Sequence, residues 1–258
     1  MICRSYLHGQ KLMVGNLNEI QVLIDRRETA LTEVALNFWR AELNGPPHSH
    51  TSKEQVFYVT QGEGSIHIDQ TPHSVKPGAL LYIPSGVIHQ SVTHHSSLTY
   101  FLFNAFLERG KEGYASYAEH IKHVKAIRQR QADTGKATAD PNLSDHVSSR
   151  SPLFIEDARG TTSVILIPQS GTDGCEVERI YLHIGHTRRL KYGDREQTLF
   201  VISGNGTIGI DSEKCEVEAG SVIFVPMNAS QWITAGTADL TYLSLSTFAL
   251  PPTINETR

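Results

Sequence analysis

The chain has 258 residues, with 23 Lys and Arg against 27 Asp and Glu for a formal net charge of −4, a balance that gives no footing for a nucleic-acid or anionic-membrane partner. Three cysteines, Cys3, Cys175 and Cys215, lack CxxC spacing and argue against both a disulfide framework and a cysteine zinc site. No apolar run nears the roughly 18 residues of a membrane span, and MICRSYLHGQ lacks the apolar core of a signal peptide, so the chain reads as cytoplasmic.

In chain order, short β-branched and aromatic runs come first: EIQVLID, EVALNFWRAEL, QVFYVT, GSIHID, ALLYIP and LTYFLF. Gly, Pro, Asn or Asp punctuate them at the spacing of a small antiparallel barrel or sandwich. A single helical pattern follows in EGYASYAEHIKHVKAIRQRQADTG, where Tyr114, Tyr117, Ile121 and Val124 form one stripe and Gly135 makes a natural stop. Its opposite face carries Lys122, Lys125, Arg128 and Arg130 and reads as solvated. ADTGKATADPNLSDHVSSRS is small and polar, a linker or surface loop. Strand-like runs then resume with TSVILIP, VERIYLHI, TLFVIS, GTIGID, SVIFVP and LTYLSLS.

The two sets of strands are copies of each other. A displacement of 142 residues lays EQVFYVTQGEGSIHID, starting at Glu54, over EQTLFVISGNGTIGID, starting at Glu196, and PGALLYIP over AGSVIFVP without a gap. Identical pairs include Glu54 and Glu196, Gln55 and Gln197, Gly62 and Gly204, Gly78 and Gly220, and Pro84 and Pro226. The expected organisation is one module over residues 1–107, a helix and linker over 108–150, and a second module over 151–258.

The first copy carries the polar residues of interest. His48, His50 and Glu54 share parity, so an extended chain points all three to one face. The series Gly45, His48, His50, Glu54, Gly62, followed by Gly78, Pro84, Ser85, Gly86 and His89, resembles the two motifs of the cupin superfamily, and the tandem arrangement resembles a bicupin. The resemblance implies an all-β fold of two double-stranded β-helix barrels. It also implies that His48, His50, Glu54 and His89 bind one divalent metal. Two imidazoles on alternate residues stand about 6–7 Å apart at Cα and can converge on one cation. Three nitrogens and one carboxylate suit Fe, Mn, Ni, Co, Cu or Zn, and leave open positions for chemistry.

In the second copy His48, His50 and His89 become Leu190, Tyr192 and Gln231, and only Glu196 survives. A single metal per chain is therefore expected. The resemblance implies a metal-dependent enzyme on a small organic substrate: first a quercetinase-like dioxygenase, alternatively a sugar-acid isomerase or lyase with a Lewis-acid metal, or a non-catalytic binding barrel. Arg40 and Tyr58 are the candidate substrate contacts. Cupins often dimerise, so a homodimer is expected.

Overall fold

The computed structural model describes residues 1–14, 18–107 and 148–249, with 116, 118–119, 121–122, 125–126 and 138–139 between them. The fold is all-β: two cupin barrels in tandem, each made of one larger and one smaller antiparallel sheet. In the first module the larger sheet runs Leu153–Ile155, Leu80–Ile83, Lys53–Gly62, Leu98–Phe106, Thr32–Trp39, Asn18–Ile24, Gln10–Val14. The smaller sheet centres on His48–Ser49, His89–Val92, Gly64–Ile68 and Thr71–Val75, with Thr138–Ala139 pairing in parallel along His48–Ser49.

The second module repeats this register. Val56 pairs with Tyr82 as Thr198 pairs with Phe224, and His48 with His89 as Leu190 with Gln231. Repeated glycines mark places where the chain closes on itself. Gly62 has φ 71°, and a Cβ there would lie 1.8 Å from the Ser97 carbonyl oxygen; Gly204 repeats the situation against Asp239.

Alternation along the strands divides most of the apolar residues among three large cores, with a smaller fourth cluster around Val14, Ile20, Val22 and Ala35. Phe57, Val59, Ile66, Leu81 and Tyr100 fill the first barrel, while Leu199, Val201, Ile208, Ile223 and Tyr242 fill the second. Between the barrels, the outer faces of the two larger sheets meet. Val56, Tyr58, Tyr82, Phe101 and Phe103 pack there with Phe200, Phe224, Leu243 and Leu245, and Phe101 stacks on Phe200 at 4.5 Å. Each such aromatic contributes about 1.5–3 kcal/mol through burial alone.

Two short strands cross the expected module boundaries. Ile2–Ser5 pairs with Ser221–Val225 in the second module, and Leu153–Ile155 pairs with Leu80–Ile83 in the first. Ile2 faces Phe224 and Leu153 faces Tyr82, so the modules exchange an equivalent edge strand. Cys3 on the exchanged strand is disulfide-bonded to Cys215 on Glu213–Glu218, with Cα atoms 6.9 Å apart. This corrects the expectation of no disulfide. Spacing could not show it, because the partners stand 212 residues apart and meet only through the exchange. Cys175 is free and buried.

Of the expected helix, Ile121 is buried against Val14, Ile20, Val22 and Ala35, and Lys122 and Lys125 are exposed. Tyr114, Tyr117, Val124, Arg128 and Arg130 lie outside the described side chains. Among the described residues no helix is long and apolar enough to cross a membrane.

A reciprocal pair of carboxylates joins the modules. Glu54 is fully buried and accepts hydrogen bonds from the backbone N–H groups of Asp173 (2.8 Å) and Gly174 (2.9 Å), and from the Tyr82 hydroxyl. Glu196 accepts from the N–H groups of Ala30 (2.7 Å) and Leu31 (2.9 Å). Each pair of donors follows a short 3-10 turn, Gln169–Gly171 or Arg26–Glu28, in the opposite module. Glu54→Ala strands a buried and a part-buried N–H group and a buried hydroxyl and should lower the unfolding free energy by about 2–4 kcal/mol. Urea denaturation of the variant beside the parent protein measures it.

Candidate metal centre

The strand His48–Ser49 pairs with His89–Val92 so that His48 and His89 are direct cross-strand partners. His50 follows two residues on and joins them. Ring centroids are 4.3 Å apart for His48 and His89, 5.0 Å for His48 and His50, and 5.5 Å for His50 and His89. One ring nitrogen of each lies within 4.8 Å of the others. The Pro84-Ser85-Gly86 turn aims His89. Gly86 has φ 81°, its N–H donates to the His50 carbonyl at 2.7 Å, and the Ser85 hydroxyl donates to the Thr51 carbonyl at 2.8 Å.

Two tautomers follow from the backbone. His48 Nδ1 stands 3.0 Å from the Pro46 carbonyl oxygen, and His89 Nδ1 stands 3.2 Å from that of Val87. A carbonyl only accepts, so each Nδ1 carries the hydrogen and each Nε2 keeps its lone pair. Burial pushes the His89 imidazole down to about 4, and the nearby Lys53 ammonium acts in the same direction. His89 is therefore neutral at pH 7, and its buried Nε2 has no hydrogen-bond partner. An unsatisfied lone pair converging with two further imidazoles fits a borderline transition cation.

The other expected site residues lie elsewhere. Glu54 is not in the cluster. Its strand turns Val56 and Tyr58 toward the second module and Phe57 toward His89, whose ring is 5.9 Å away, so Glu54 also faces outward. Its charge is held by the donors of the module contact, and it helps push the Cys175 thiol upward after burial, the larger cause. Tyr58 is buried in that contact with its ring 5.8 Å from Phe200, and burial pushes its hydroxyl up to about 12. Arg40 is exposed, one residue beyond Thr32–Trp39. Tyr58 thus faces the second module, and Arg40 lies at the surface past the end of its strand.

The inward face of the same strand carries residues the parity reading passed over: Lys53, Gln55 and Phe57. The Gln55 amide donates to Asn104 Oδ1 at 2.9 Å, Asn104 donates to Glu33 at 2.9 Å, and Arg26 donates to the same carboxylate at 3.2 Å. Lys53 lies 4.0 Å from Glu33 and 5.5 Å above the Phe106 ring, with Arg26 4.5 Å over that ring. Lys53, Arg26 and Glu33 all have buried side chains. The repeated Glu-Gln pair was a visible signal, since Gln55 recurs as Gln197.

In the second module Gln231 donates to Gln197 Oε1, and Tyr192 lies under the Arg195 guanidinium at 4.5 Å. Among the described residues the three histidines are the one cluster with metal-ligating geometry.

The family profile of the Cupin domain matches residues 37–103, the stretch that holds all three histidines. No curated protein matches the chain. Among solved structures, an oxalate decarboxylase described for its substrate binding mode and a reaction specificity switch is similar at 13% identity, with a TM-score of 0.66 over 95% of this chain and 76% of that one. A mutant of the Bacillus subtilis oxalate decarboxylase is similar at 12% identity and TM-score 0.66, over 96% of this chain and 78% of that one. A structure from work on the Mn(II) centres of the Bacillus subtilis enzyme gives 13% identity and TM-score 0.66, over 95% and 76%. These likenesses support the two-barrel cupin fold; activity has to be argued from the site.

With ligands in one module, elemental analysis of the loaded protein should give about one transition metal per chain. His50→Ala and His89→Ala should each lose most of it while circular dichroism keeps the β-sheet signal, because the cores are built from the apolar strand faces.

Proposed function

We propose that this protein is a metal-dependent enzyme that binds a small organic acid at His48, His50 and His89 and transforms it without inserting oxygen. The observation that carries the reading is the buried Lys53 and Arg26 pair, held on Glu33, with the Lys53 ammonium close enough to act on the neutral His89 imidazole of the three-histidine cluster. When bound there, a divalent metal supplies Lewis-acid polarisation of a carboxylate or carbonyl oxygen. Lys53 then offers a second, desolvated positive charge to the same anion, and Phe57 and Phe106 exclude water from one side. Oxalate, the acid named in the similar structures, belongs to this substrate class. This choice reverses the order expected from the sequence, in which a dioxygenase came first.

The test is conversion of small mono- and dicarboxylic acids by the Mn(II)-loaded protein under ¹⁸O₂, followed by mass spectrometry. The expected product carries no label; label from ¹⁸O₂ in the product would favour the dioxygenase. Lys53→Met should keep its metal and raise KM for the acid about tenfold or more, as expected for a lost charged contact. An unchanged KM removes Lys53 from substrate binding.

A further inference from the structure

Gln55 is held in one orientation by a chain of fixed donors and acceptors. Glu33 can only accept, so Asn104 must turn its NH₂ toward it. Asn104 Oδ1 therefore faces Gln55, and Gln55 must present its own NH₂ there; the flipped amide would set two carbonyl oxygens together. The consequence is that Gln55 Oε1 points away from this chain. It is buried and has no hydrogen-bond partner.

The second module shows where an amide oxygen at this strand position aims. Gln197, the counterpart of Gln55, donates to Ser244 at 2.9 Å, and its Oε1 accepts from the Gln231 amide. Gln231 stands opposite Leu190 as His89 stands opposite His48, so it occupies the place of His89. In the first module the same two positions hold Gln55 Oε1 and His89 Nε2, both acceptors and both without a donor. Two buried lone pairs at positions whose counterparts meet in the second module call for a cation between them.

We propose that Gln55, and not Glu54, is the fourth protein donor to the metal, so that the ion is held by three imidazoles and an amide oxygen with no charged ligand. The proposal rests on the metal reading above. An uncharged set leaves both positive charges of a divalent ion available to an anionic substrate.

Mn(II) titration followed by electron paramagnetic resonance tests it on the full chain. Gln55→Ala should weaken Mn(II) binding about ten- to a hundredfold, the loss seen when partners of a metal site are removed. Gln55→Glu should retain binding and change the zero-field splitting of the bound ion, because a charged oxygen replaces a neutral one. Glu54→Gln should leave the spectrum and affinity as they are. Parent-like affinity in Gln55→Ala together with a parent-like spectrum in Gln55→Glu would overturn the proposal while the three-histidine site stands. If Gln55→Ala fails to fold, the Gln55→Glu spectrum decides alone. Failure of the parent protein to bind Mn(II), Fe(II), Co(II) or Zn(II) would overturn the metal reading and this proposal with it.

Discussion

A carboxylate closed off from solvent must find donors inside the protein or give up its charge. Glu54 and Glu196 find theirs in each other's modules, on backbone N–H groups whose orientation is fixed by short turns. That requirement dictates which way the long central strand faces. With Glu54 turned to the contact, alternation sends Val56 and Tyr58 into the same apolar layer and leaves Lys53, Gln55 and Phe57 for the barrel interior. The contents of the metal barrel are therefore settled by a bond made outside it. Equivalent bonds in both directions also give Glu196 a role in the second copy, where the histidines do not recur.

The repeat, the barrels and the three histidines were legible because each depends on local spacing that survives in the fold. His48 and His50 are two residues apart, and the turn before His89 is announced by Pro84, Ser85 and Gly86. Glu54 was grouped with the histidines because parity was carried across a bend. Thr51 and Ser52 interrupt the extended chain between His50 and Lys53, so the face of Glu54 is not the face of His50. Arg40 was assigned to a strand that ends at Trp39. Tyr58 aligns with Phe200 under the 142-residue displacement, and the two rings meet across the module contact.

What sequence spacing could not reveal was the exchange of edge strands. Ile2–Ser5 lies far along the chain from Ser221–Val225, and nothing in either run specifies the other apart from a vacant sheet edge. Once the strand docks, Cys3 comes beside Cys215, and the bond between them ties the start of the chain to the second barrel. Leu153–Ile155 does the reverse by adding to the first barrel. Neither module therefore completes its larger sheet alone, and the two share their edges as well as their apolar layer.

Within that joined frame, one barrel could lose its ligands without losing its shape. The second module has an amide where the first has His89, and the amide donates to Gln197 across the same space. A donor–acceptor pair thus satisfies in one barrel the position that in the other is left as two acceptors. The contrast is informative because the surrounding register is the same. Leu190 and Gln231 pair as His48 and His89 do, so the difference lies in side-chain chemistry and not in backbone geometry. The second barrel closes its interior with its own hydrogen bonds, and the first keeps lone pairs that its own donors do not fill.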